Sequence, residues 1–141
     1  MPMTIQMIRL EGMTTAPEMQ RILNELELLN QPPLSDQRIW WECQTAIQEW
    51  IGNILRYGHR ELPPETPIEI EVTRTDEFIE IRVWDHGFFF DLDQQISQQS
   101  DLDQNFQVGG RGLKIIEKVA DKIDYFKTDD SRNCFLLIKY V

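Results

Sequence analysis

Long apolar runs and an excess of basic residues are both missing from this chain, and each lack removes a class of function. The apolar stretches are far too short to span a bilayer. The opening residues MPMTIQMIRLEG have neither the basic end nor the apolar block of a signal peptide, so a cytoplasmic protein is the expectation. Against 24 aspartates and glutamates stand 14 lysines and arginines, a net charge of -10. That field repels phosphate polymers and anionic lipid, so neither nucleic acid nor membrane is an expected direct partner. Cysteine is scarce. Cys43 and Cys134 fall in a helical and a strand pattern, away from any CxxC pair, and read as small core residues. No GxxxxGK[ST] loop occurs, and no strand leads into GxGxxG, which excludes Walker A and Rossmann sites. The two histidines, His59 and His86, stand beside glycines in expected loops and read as solvated.

What is present suits one domain over residues 1–141, with 41% hydrophobic residues to build a core. Apolar and polar residues alternate from Thr4 to Leu10, predicting a first strand that stops at Gly12. Helical spacing follows from Pro17 to Asn30. A longer helix, with Ser35 as its cap, carries Ile39, Trp40, Cys43, Ala46, Ile47, Trp50, Ile51 and Ile54 up to Gly58. IEIEVTRT and FIEIRVW, separated by DE, predict a hairpin. Residues 91–108 are polar and predict a loop with one helical turn, acting as a lid. GGRGLKIIEKVADKI then starts a helix, and DYFKT and NCFLLIKYV supply two closing strands. The order β, α, α, β, β, loop, α, β, β predicts an α+β sandwich: a mixed sheet with helices on one face.

Three groups of residues bear on chemistry. On the central helix, Glu49 and Asn53 lie roughly 40° apart at the edge of the apolar arc, with Tyr57 a step further; a ligand site and an ordinary solvated edge both fit. In VWDHGFFFD, Asp85 follows the inward alternation of Ile79, Ile81 and Val83, where its carboxylate can accept from an exocyclic amine. Gly87 leaves room for a flat ligand near the backbone; a plain strand-ending turn is the alternative. Phe88 to Phe90 then read as lid base packed on the core or as a docking surface. GGRGL, the third group, places glycines at a helix start, where backbone N–H groups favour phosphate, although a hinge would need the same residues. Four of the seven glycines, Gly87, Gly109, Gly110 and Gly112, lie in these two turns.

As an ordered set, EWIGN, DHG and GGRGL resemble the N-box and the two glycine boxes of the GHKL (Bergerat-fold) ATPase superfamily. The short form of the chain is similar to the RsbW/SpoIIAB group of anti-sigma factor serine/threonine kinases. The resemblance spans about Ser35 to Val141 and implies a two-layer α/β sandwich with an ATP lid over about residues 91–110. It implies ATP and Mg2+, with Asn53 as metal ligand and Glu49 as general base or orienting group. Asp85 would read the adenine amine, Gly87 would open the base pocket, and Gly110 and Gly112 would bring amides to the phosphates. Arg111 and Lys114 are candidate phosphate contacts by charge. The implied partners are a STAS-type antagonist protein, a sigma factor, or both, and a homodimer is open. The chain departs from the pattern at Phe89, where the family has a second glycine. It departs again at Tyr57, where the anti-sigma kinases have histidine, and at SRNCFLL, which lacks Gly-Thr.

Overall fold

Period-two alternation sets the strands, and three-to-four-residue spacing sets the helices. The computed structural model describes residues 5–98 and 112–141. Its strands are β1 (Gln6–Met13), β2 (Pro67–Arg74), β3 (Phe78–Asp85), β4 (Lys122–Lys127) and β5 (Asn133–Tyr140). The helices are α1 (Ala16–Leu26), α2 (Gln37–Asn53), α3 (Leu92–Gln98) and α4 (Gly112–Val119). One sheet runs in the order β1-β2-β3-β5-β4. Ile68, Ile70 and Val72 on β2, and Ile79, Ile81 and Val83 on β3, are buried and form one core with residues of α1, α2 and α4. The alternate residues stay half-buried on the open face.

The α+β two-layer class is as expected, but the sheet is antiparallel at every ladder instead of mixed. The position of β5 explains this. Strands β3 and β4 point the same way, yet β5 lies between them and runs against both, so their parallel relation never becomes a ladder.

Helix ends also moved in small, explicable ways. The first helix is capped by Thr15, which accepts from the backbone of Glu18 at 3.3 Å, and it tightens into a 3-10 turn over Glu27–Asn30. Asp36, one residue beyond Ser35, caps α2 by accepting from the Arg38 backbone at 3.0 Å. After Asn53 the helix widens into a single π turn, Ile54–Gly58, closed by the His59 N–H on Ile54 oxygen at 2.8 Å. That extra residue per turn reorients everything beyond it. Part of the predicted polar loop is helical: α3 runs through seven residues and buries Ile96.

Trp50 is the hub of the core. Its ring stacks on Phe135 at a centroid distance of 4.0 Å and meets Tyr125 edge-on at 5.4 Å. Cys43 and Cys134 are buried free thiols, pushed by burial to about 12 and about 11 respectively, as inert core residues should be. On the open face, the guanidinium groups of Arg9 and Arg132 lie over the Trp84 ring, 5.0 and 5.5 Å from its centroid, and both arginines pair with Glu69. The edges of the sheet differ. Along β4, Lys122 and Lys127 are exposed, and the Asp124 carboxylate covers the Tyr125 N–H at 2.9 Å. Along β1, Met7 and Met13 are exposed. Among the described residues no helix is long and apolar enough to cross a membrane.

Candidate functional site

A cavity of about 520 Å³ opens between α2 and the sheet, lined by Trp50, Asn53, Tyr57, Asp85, Phe90 and Leu113, among others. Asp85 supplies its one charged wall residue among the described residues. Strand alternation puts it there, because Ile79, Ile81 and Val83 precede it on the inward face. It is only 4% exposed. Its Oδ1 accepts from the Gly87 N–H at 2.8 Å and from Asn133 Nδ2 at 3.0 Å. Neither of these bonds uses Oδ2, for which no partner is found among the described residues.

Asn133 was not legible as a site residue, because SRNCFLL registers first as the absence of Gly-Thr. It pairs with Asp85 on the last rung of the β3–β5 ladder. Its Nδ2 also donates to Gly87 oxygen at 2.8 Å. Both partners are acceptors, so the amide cannot be flipped. Among the described residues neither Asn133 Oδ1 nor the Trp50 indole N–H, both buried, finds a partner.

Gly87 lies off the cavity wall and has another use. A Cβ there would meet the oxygen and carbonyl carbon of Gly58 at 2.6 and 2.8 Å. Two backbones touch at this point, and neither can give way as a side chain could. Gly87→Ala is therefore expected to lower stability by about 1–3 kcal/mol, read as a shifted urea midpoint; an unchanged midpoint would show that the turn tolerates a side chain.

Glu49 and Asn53 fall on one stripe of α2, as the spacing predicted, but they face different surroundings. Asn53 is half-buried on the cavity wall. Glu49 is half-buried against the start of α4, where a Cβ on Gly112 would come within 2.5 Å of its Oε2. Gly112 therefore brings the α4 N-terminus onto this carboxylate. Gly110, Arg111 and most of the expected lid lie outside the described residues. Lys114 is half-buried on the first turn of α4. Tyr57 stands on the rim, largely exposed.

The three phenylalanines divide. Phe90 packs on Trp50 and Tyr125, Phe89 stacks flat on Tyr125 at 4.8 Å, and Phe88 is 82% exposed at the cavity lip. Burial, and then the nearby Asp85 charge, push the Tyr125 hydroxyl well above the ordinary phenol range, so it stays neutral.

His59 is not solvated, contrary to the expectation; it is 2% exposed, whereas His86 is on the surface. The π turn is the reason, since it carries the chain inward past Gly58. His59 Nε2 lies 2.8 Å from the His86 backbone N–H, and Nδ1 lies 2.8 Å from Thr14 Oγ1.

This geometry suits a flat heteroaromatic ligand with an amino group: apolar and aromatic walls, and one carboxylate oxygen without a partner among the described residues. Among the described residues there is no cluster of three His, Cys, Asp or Glu side chains. Asn53, on the cavity wall, carries a neutral amide oxygen of the kind that hard cations take beside oxygens of a ligand.

A family model described as "Histidine kinase-like ATPase domain" matches residues 13–139. No curated protein matches by sequence. Among solved structures, a chain of "The crystal structure of SiaB-SiaC complex from Pseudomonas aeruginosa" aligns with a TM-score of 0.63 at 11% identity, over 95% of this chain and 89% of that one. At such identity the likeness is one of fold.

Proposed function

Because the chain belongs to the histidine kinase-like ATPase domain family, we propose that the cavity takes the adenine of ATP and that the protein is an anti-sigma-type regulator with serine/threonine kinase activity. Its substrate would be a serine or threonine on a small STAS-type antagonist protein, with a sigma factor as a further partner. The observation that carries the reading is Asp85: a buried carboxylate on the cavity wall, held through one oxygen and keeping the other for a ligand amine. A protein partner is in keeping with the structural neighbour, which comes from a two-protein complex.

In this reading residues 1–141 form one ATPase domain with its lid over about 91–110. Asn53 would hold Mg2+ through its amide oxygen, and the ion would supply positive charge against the phosphates. Gly110, Gly112 and Arg111 meet the phosphates where α4 begins. Glu49, at that same helix start, orients the attacking hydroxyl and takes its proton as the oxygen bonds to the γ-phosphorus and the bond to the ADP oxygen breaks. Gly87 contributes by letting the turn after Asp85 close on Gly58.

The test has two stages. Calorimetry with ATP and Mg2+ reads binding, and labelled γ-phosphate reads transfer to a STAS-type protein. Glu49→Gln is expected to cut transfer by about 10²–10⁴-fold with ATP affinity little changed; undiminished transfer removes Glu49 from the chemistry. A second reading, a nucleotide-responsive binding module without transfer, draws on Phe89, which takes the place of a glycine and is stacked on Tyr125. Binding without turnover in any pairing would select it.

A further inference from the structure

The buried ring of His59 is not among the residues lining the cavity, yet it ties its own segment to Thr14 and to the His86 backbone, and through Thr14 to Thr66. Its hydrogen bonds have only one consistent direction. A backbone N–H can only donate, so the His86 N–H, 2.8 Å from Nε2, requires a lone pair there. Thr66 oxygen can only accept, so Thr14 Oγ1, 2.6 Å away, must give it the hydroxyl proton. That oxygen then accepts from Nδ1–H at 2.8 Å. The ring is thus neutral, with its proton on Nδ1, and one lone pair holds the residue between Asp85 and Gly87.

We propose that His59 is a positioning residue for base recognition: it fixes the Asp85–Gly87 turn through the His86 N–H, and its protonation releases that turn. The proposal rests on the reading of the cavity as an adenine site. A proton on Nε2 would set two N–H donors against each other and turn the ring toward Asp85 Oδ1, 3.9 Å away. That oxygen already serves Gly87 and Asn133. Drawing it toward His59 rotates the carboxylate whose other oxygen would receive the amine. The titratable groups facing the ring are Asp85 and the His86 side chain, whose ring centroid is 6.3 Å away; Thr14 and Thr66 present neutral groups. Burial lowers the proton affinity of His59, Asp85 opposes this and His86 adds to it. The released state therefore builds up as the pH falls below 6.5, the value of a free ring. Neutral His59 likewise contributes its full stability above 6.5 and loses it below, because the unfolded chain binds the proton more readily.

Adenosine is the probe, since it carries no titrating phosphate. Its affinity is measured by calorimetry from about pH 8 to about pH 5, with thermal melts at each pH to confirm a folded protein. Wild type should weaken toward acid, approaching about tenfold per pH unit at the limit. His59→Gln keeps an acceptor for the His86 N–H but cannot titrate, so it should bind near wild type at the alkaline end and stay flat. His59→Leu should bind about tenfold more weakly at every pH. His86→Gln, which alters only the exposed ring, should keep the wild-type slope. A flat wild-type profile, or a His59→Gln profile as steep as wild type, overturns the inference and leaves the adenine site standing. Failure of wild type to bind adenosine or ATP at any pH overturns both.

Discussion

Trp50→Ala is expected to destabilise the protein by about 3–5 kcal/mol, the range for removing a large aromatic from a core. The indole is 1% exposed, stacks on Phe135 and Phe90 and meets Tyr125 edge-on, so three rings lose a shared partner. Urea denaturation monitored by far-UV dichroism reads the loss; a fall of less than about 1.5 kcal/mol would mean that the rings repack. Trp50→Phe is an informative control. It keeps an aromatic face while deleting an indole N–H that has no partner among the described residues, so its cost should be well below that of alanine.

The second large effect falls on Asp85, and two substitutions separate structure from recognition. Asp85→Ala strands the Gly87 N–H and one of the two Asn133 Nδ2 protons, the other staying on Gly87 oxygen. At about 1–3 kcal/mol for each orphaned donor, the fold should lose roughly 2–6 kcal/mol. Asp85→Asn keeps an oxygen for both donors, so its stability should stay within about 1 kcal/mol of wild type. It puts an NH2 where the second oxygen was, however, and two donors cannot pair. Adenosine affinity should fall by about 10–100-fold, and the purine with a 6-oxo group should lose less. Calorimetry with adenosine and inosine on both proteins checks this, and equal losses for the two ligands would place the base elsewhere.

Much of this was legible in the sequence because it is periodic. The alternation through Ile79, Ile81 and Val83 carries Asp85 inward, and the 3.6-residue period puts Glu49 and Asn53 on one stripe of α2. What stayed hidden depends on long-range contacts or on a break in a period. The partnership of Asn133 with Asp85 spans 48 residues and appears only once β5 is registered against β3. The closeness of Gly87 to Gly58 likewise joins two turns. His59 escaped because a π turn has no strong sequence signal, and a glycine before it reads as a helix stop. The sheet was expected to be mixed because nothing local says that β5 will slot between β3 and β4.

The unlike borders of the sheet limit how this protein can assemble. Strands at a free border invite further strands, and a sheet open on both sides can grow into a fibre. Here the β4 side is blunted by lysines and by a carboxylate capping its own neighbour's N–H, while the β1 side presents the exposed Met7 and Met13, with the Arg21 guanidinium on the Glu11 carbonyl. An incoming strand therefore meets charge along β4 and exposed apolar side chains along β1.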